Sequence, residues 1–456
     1  MINSLPGQGA SGRGPVRHHM KTRTLNNLAS GRKQNVDKAP TYSPRASLVG
    51  CIAWAYLQSD AVFYGARATL GLGGLSNRYL TVGKWILAIL AVLTLLSTQN
   101  NKTSPAAFTG RSRTVLLYAV VATSSFANYV RYAGGDPVQK YLLYVLSLAL
   151  PALIVGLCLR FDDLVKARQF GLYISTLAIV LMLITSRKNG LTDSGYLNDV
   201  GGASHLLVGQ TAAIALILST YFLMNRKTGR SLSLFVMFTS IYLLLISGSR
   251  GSLIAAVCAV VYYGSSVIRD HKLTQRLGPR VLKVGIVIFT GIAAGSYFYS
   301  SLQYSSLARQ KFDSLFTGGD QSTEVRQFLY RVAGETIREH PIFGSGVGGY
   351  AQHMGVYVYP HNLFLEVLCD FGLFGLVIIA LIVYRMWANW HHVETRLAGA
   401  ILVTAIVILL FSGSYALQPL FWFSLALTGA PRRVGDVHER TVSDVDRTEC
   451  LSPKPI

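Results

Sequence analysis

A chain of 456 residues could hold two or three soluble domains, but 51% of this one is apolar and only 14% charged, which excludes an ordinary soluble enzyme and points to a polytopic membrane protein. Its 42 Lys and Arg against 21 Asp and Glu give a formal charge of +21. Most of that excess falls in the short gaps between apolar runs, so it reads as the positive-inside signal of membrane topology and not as a nucleic-acid footprint.

In chain order, residues 1–46 carry eight Lys and Arg among Gly, Ser, Asn and Pro, with no apolar period. They read as a disordered basic arm on the cytoplasmic side, without the apolar core of a signal peptide. Stretches long enough to cross the bilayer then recur near 47–66, 79–97, 114–131, 138–159, 170–186, 205–224, 231–247, 251–268, 281–300, 361–384, 397–412 and 416–430. The expected fold is all-α and polytopic, with about 12 transmembrane helices of roughly 20 residues each. They occupy one domain, residues 47–430, followed by a cytoplasmic tail at 431–456. The first stretch is the weakest, because it contains Gln58 and Asp60. The five cysteines, Cys51, Cys158, Cys258, Cys369 and Cys450, show no CxxC or metal-ligand spacing, so neither a zinc site nor a disulfide framework is expected.

Lys and Arg counted in alternate gaps favour one side roughly three to one, which places both termini in the cytoplasm. The same alternation leaves a large periplasmic loop, 301–360, between the ninth and tenth spans, and puts the short turns that carry Arg187 and Arg250 on its face. No inverted internal repeat of the transporter kind is visible.

Within that loop Val325, Phe328, Leu329, Val332 and Ile337 recur at helical period, with Ser322 or Thr323 as the cap and Pro341 as the stop. A surface helix is expected there, its apolar side turned to the bundle and Arg326, Arg331 and Arg338 projecting from it. An arginine fork matches two phosphate oxygens and keeps its charge when partly desolvated. PIFGSGVGGY follows; it lacks the GK[ST] of a nucleotide-binding loop and joins no strand to a helix, so it reads as a chain reversal that needs positive φ. Close backbone approach to a ligand is the alternative.

His361 opens the tenth span in HNLFLEVLCDFGLFG, with Asn362, Glu366 and Asp370 following at spacings of four. Alone, a histidine at a membrane boundary is as readily an interfacial residue. Acids within a span are costly enough to be functional by default, however, and a group that titrates near neutrality suits proton removal from a hydroxyl. Arg250, in SGSRG, has a plain reading as a headgroup-anchoring cation. Against that, the positive-inside tendency disfavours an arginine on this face, and Gly248 and Gly251 beside it allow close helix packing. Arg187, in LITSRKNG, is placed similarly with a weaker signal.

Taken together, SGSRGSL, VRQFLYRVAGETIREHPIFGSGVGGY and HNLFLEVLCDFGLFG resemble the shared core of the bacterial O-antigen ligase and polysaccharide polymerase superfamily. The likeness covers roughly residues 170–385 and is strongest from 244 to 376. Arg326 stands fifteen residues before Pro341, as that family's loop arginine does, and its spacing of a histidine, ten residues and a glycine recurs as His361 to Gly372. The resemblance implies a metal-independent, cofactor-free, inverting glycosyl transfer on the periplasmic face of the inner membrane. The donor it implies is a glycan on undecaprenyl diphosphate, the diphosphate held by Arg250 and Arg326 with support from Arg187 and Arg331. His361, with Asn362 and Glu366 in support, is implied to act on the acceptor hydroxyl. Fixed positive charge and positioning can lower such a barrier on their own.

If the acceptor is the next lipid-linked repeat unit, the protein is an exopolysaccharide or O-antigen polymerase, the way the compact loop and the HNLFLE form lean. If it is the lipid A-core of lipopolysaccharide, the protein is a ligase. Flippase and chain-length regulator proteins are further partners the resemblance implies. Two other classes fit less well. A cytoplasmic synthase using nucleotide sugars needs a large inside domain with metal-binding carboxylates, whereas the one Asp pair, Asp162 and Asp163, lies in a short loop. A transporter or flippase of lipid-linked oligosaccharide matches the number of spans, but calls for charged groups near the midplane; here the cations gather at the outer rim.

Overall fold

The computed structural model describes residues 44–72, 76–97, 106–159, 161–189, 205–225, 229–268, 321–356, 358–390 and 395–429, and among these every regular element is helical. The basic arm up to residue 43, the ninth expected span at 281–300, the first part of the 301–360 loop and the tail lie outside the described residues.

The chain begins with α1 (Pro44–Thr69), α2 (Asn77–Leu96) and α3 (Ala106–Arg131), then α4 (Asp136–Tyr144), which runs through a π-helical turn (Val145–Ala149) into α5 (Leu150–Cys158). A short α6 (Phe161–Lys166) leads to α7 (Arg168–Asn189), α8 (His205–Asn225), α9 (Arg230–Ile246) and α10 (Arg250–Ile268). After the undescribed stretch come α11 (Gln321–Glu339), α12 (Gly349–His353), α13 (Leu363–Phe371), α14 (Phe374–Trp390), α15 (Arg396–Phe411) and α16 (Pro419–Thr428). Among the described residues, five segments are long and apolar enough to cross a membrane, namely Asn77–Leu96, Asp136–Cys158, Arg168–Ser186, His205–Asn225 and Arg250–Val267. Four more, Arg230–Ile246, Phe374–Trp387, Arg396–Phe411 and Pro419–Thr428, are apolar but shorter.

Two expected spans differ from plain helices, each for a local reason. In the fourth, Pro151 sits in the first turn of α5 and has no N–H to give, and the ladder widens into the π turn before it. Tyrosine hydroxyls from neighbouring helices donate to carbonyls of that turn, Tyr118 to Val145 at 2.9 Å and Tyr56 to Leu148 at 3.3 Å. The tenth, expected as one helix over 361–384, breaks at Gly372 into α13 and α14. There the N–H groups of Leu373 and Phe374 turn to the carbonyls of Pro341 and Ile342 at 2.9 and 3.4 Å, so the preceding loop replaces the helix ladder.

α8 lies at the centre, packed against α7, α9, α10 and α15, while α5 packs against α2 and α16. Lipid tails offer helices no hydrophobic drive to associate, so close approach and polar contacts decide the packing. Gly156 accordingly lies against the backbone of Phe423, and Gly209 against Ser249 and Ser252. The polar residues that make α1 look weak as a span are its attachments. Gln58 is buried and donates to Ser175 at 3.0 Å, and Asp60 pairs at 2.7 Å with Lys84, itself buried on α2.

The turns that alternate along the chain meet at one end of this bundle. Thr69, at the end of α1, touches Thr185 near the end of α7; Asn128 and Ser124 of α3 bond the 345–347 loop. Gln418 bonds Gln210 near the start of α8 at 2.8 Å, and Gly251 at the start of α10 lies against Phe411 at the end of α15. The segments expected on the outer face therefore share one end.

Asp60→Ala is expected to destabilise the protein by about 3 kcal/mol, because it leaves the Lys84 ammonium buried without its partner. The double change Asp60→Leu with Lys84→Met is expected to recover most of that loss, as read by thermal unfolding of the solubilised protein.

Candidate active site

At the end where these turns meet stands α13, whose nine residues make a helix too short to cross a membrane. Asn362 caps it: its side-chain oxygen accepts from the backbone N–H groups of Phe364 and Leu365 at 3.0 and 3.2 Å. Four residues apart, Glu366 and Asp370 share one face of α13 and are both almost completely buried. Their donors come from the turn between α15 and α16. Ser414 donates its hydroxyl to one oxygen of Glu366, the Tyr415 N–H reaches the other at 3.2 Å, and the Tyr415 hydroxyl donates to Asp370 at 2.8 Å. Burial pushes both carboxyls above the usual carboxylate range, and the neighbouring Asp370 adds to the rise at Glu366.

The glycine-rich loop proves to be a stitch between elements. Ser345 and Gly346 donate their N–H groups to the carbonyls of Cys369 and Asp370 at 2.7 and 3.0 Å, filling acceptors that the end of α13 leaves open. Asn128 holds the carbonyls of Ser345 and Val347 at 2.9 and 3.2 Å. Gly344 has φ +71 and packs directly on the Asp370–Phe371 backbone, which leaves no room for a Cβ. The close approach is thus to the protein's own backbone.

α11 rests on this stitch through Leu329, Val332 and Ala333, which cluster with Tyr350 and Cys369. The Tyr350 hydroxyl donates to the Leu329 carbonyl at 3.0 Å. Arg326, one turn before Leu329, lies half-buried on the flank of the packed face, whereas Arg331 and Arg338 project from the opposite side and are exposed.

His361 follows the linker at φ 57, a backbone conformation uncommon for a residue with a Cβ. Its ring lies 4.4 Å from that of Tyr359, and its Nδ1 is buried without a hydrogen-bond partner among the described residues. Burial, followed by the positive charge of Arg326, lowers its pKa, so near pH 7 the imidazole is neutral and able to accept a proton.

The structure therefore places Arg326 within electrostatic reach of His361 and Arg250 at the same end, half-buried at the head of α10. It turns Arg331 away. Arg187 is in the last turn of α7 at this end, its side chain outside the described residues. Asn362 works as a cap and Glu366 as an anchor for the turn. Sequence reasoning passed over Ser414, Tyr415 and Tyr359. The signal for the first two was the polar run SGS, an oddity between two apolar helices on the same face.

Residues 235–380 match the family model described as O-Antigen ligase, a span that includes every site residue expected from the sequence except Arg187. The Teichuronic acid biosynthesis protein TuaE of Bacillus subtilis (strain 168) is 27% identical over 205 residues, covering 41% of each chain. The chain thus spans about two fifths of that relative's length. No solved structure matches. Family model and relative both support the likeness to the O-antigen ligase and polysaccharide polymerase superfamily.

Two glycine replacements should part in sign. Gly344→Ala meets backbone at positive φ and is expected to cost at least about 2 kcal/mol. Gly334→Ala, on α11 with open space around it, is expected to stabilise by about 1 kcal/mol through helix propensity. Thermal unfolding of the two variants beside the parent measures both.

Proposed function

From a core like that of the O-antigen ligase and polysaccharide polymerase superfamily, we propose that this protein is a multi-pass inner-membrane glycosyltransferase. It moves a glycan from undecaprenyl diphosphate to an acceptor sugar hydroxyl on the periplasmic face. The observation that carries the reading is a half-buried histidine within electrostatic reach of Arg326, at the end of the bundle where Arg250 also stands.

In this reaction the acceptor oxygen attacks the anomeric carbon and its proton passes to the His361 imidazole. The bond from that carbon to the diphosphate oxygen breaks with inversion, and undecaprenyl diphosphate leaves with its charge held by Arg326 and Arg250. A low proton affinity keeps His361 in the accepting form, and the same Arg326 charge that lowers it neutralises the leaving group. Arg331, on the outward side of α11, meets only a substrate that reaches over the helix. Arg187 supports the diphosphate from the end of α7.

Repeat-unit polymerisation is the favoured outcome, because the compact loop and the HNLFLE form lean that way and the relative TuaE is a protein of teichuronic acid biosynthesis. The description of the matching family model favours a second reading, transfer to lipid A-core. A deletion strain separates them. Loss of long chains with single repeats retained marks a polymerase; polymer accumulating on the lipid carrier with bare lipid A-core marks a ligase. Reconstitution with a lipid-linked glycan and an acceptor tests the chemistry itself, since flipping without a new glycosidic bond would sink the enzyme reading.

His361→Ala is expected to abolish transfer with normal protein levels in the membrane, as measured by product formation in isolated membranes. Arg326→Lys is expected to lose about tenfold in rate, since it keeps the charge but not the two-pronged contact. The pH profile carries a sign. Neutral His361 is the active form, so activity falls as pH drops through its depressed pKa. Removing the neighbouring charge in Arg326→Gln raises that pKa and moves the acid limb to higher pH, along with a lower plateau.

A further inference from the structure

The turn between α15 and α16, Ser412–Gln418, lies outside the 235–380 family match, yet it meets α13, the Tyr359 linker and α8. It grips α13 twice, Ser414 and the Tyr415 N–H on Glu366 and the Tyr415 hydroxyl on Asp370. Gly413, at φ +95, lies with its backbone near the hydroxyl of Tyr359, whose ring lies against His361. Gln418 ties the far end of the turn to Gln210 on α8, and Phe411, just before it, packs on Gly251 beside Arg250.

We propose that this turn is a positioning clamp for His361: through Tyr359 and the α13 carboxyls it holds the imidazole in register with Arg250 across two otherwise separate parts of the fold. A need for such a device is visible in the backbone. His361 sits at φ 57, has an extended residue after it at Asn362, and finds no hydrogen-bond partner for Nδ1 among the described residues. Nothing polar within its own segment fixes the ring, so its orientation falls to packing, and the packing surface is Tyr359. Tyr359 is in turn backed at its far end by Gly413, and the start of α13 is fixed by Glu366. Ser414, Tyr415 and Tyr359 are therefore positioning residues that act through His361, and the proposal rests on His361 being the group that acts on the acceptor.

The charged and titratable groups around His361 are Arg326 from α11 and Tyr359 from the linker, with Glu366, Asp370 and Tyr415 behind Tyr359. Full-length protein in proteoliposomes, with an undecaprenyl-diphosphate-linked repeat unit as donor and acceptor, provides the assay. Tyr359→Leu removes the ring that buries the imidazole. It is expected to lower kcat about 100-fold, the size of effect that misplacing a reacting group brings. KM for the donor should stay within about twofold, and the acid limb should move to higher pH as water reaches His361. Tyr359→Phe keeps the ring and is expected to recover most of the kcat and the parent pH limb. Ser414→Ala is expected to act in the same direction, with Ser414→Thr restoring it.

If Tyr359→Leu does not accumulate in the membrane, the Ser414 pair decides by the same readings. A drop in kcat with an unmoved acid limb, a parallel rise in donor KM, or parent-like kinetics in both variants overturns the clamp. Full activity of His361→Ala overturns the catalytic reading instead, and that result is separable, because it needs no change at Tyr359 or Ser414.

Discussion

Two carboxyls buried on one face of a nine-residue helix have to be supplied with donors, and the way α13 meets that demand organises its surroundings. An unpaired buried carboxyl costs several kcal/mol, so the turn carrying Ser414 and Tyr415 cannot drift from Glu366 and Asp370 without a large penalty. The open carbonyls at the other end of α13 exert the same kind of pull on the backbone N–H groups of Ser345 and Gly346. Between these two sets of bonds the glycine-rich loop, α13 and the α15–α16 turn form one body. His361 enters that body at its rim.

Around this body the attachments differ in strength. α13 and the turn belong to the main apolar core, whereas α11 is joined through a separate small cluster of Leu329, Val332, Ala333, Tyr350 and Cys369. The histidine is thus mounted on the rigid part and Arg326 on the lightly held one. Under the proposed transfer from a lipid carrier this division has a physical logic: a group acting on the acceptor needs fixed geometry, and a cation meeting a diphosphate from the bilayer has to let it pass.

The helical class was legible from apolar run length, because lipid demands continuous helices whatever they pack against. The surface helix, with its period and its proline stop, appeared within two residues of its expected start. The break in the tenth span was hidden. Run length records only hydrophobicity, and the helix breaks because Pro341 and Ile342, twenty residues or more upstream, offer carbonyls to Leu373 and Phe374. Likewise Gln58 and Asp60 made α1 look doubtful in isolation, when each had a partner on another helix. The three loop arginines were equivalent by type; only the side of α11 that packs inward separated Arg326 from Arg331 and Arg338.

Residue order alone carried the helical class, the loop helix and the family-like motifs around His361, Arg250 and Arg326, because those follow from composition, period and motif spacing that a one-dimensional chain carries in full. Tertiary structure settled that the glycine loop binds its own helix, that Asn362 is a cap, and that Ser414 and Tyr415, some fifty residues beyond the histidine, stand behind it. Those facts depend on which buried polar groups find each other when helices far apart in the chain come together. No local pattern encodes that pairing.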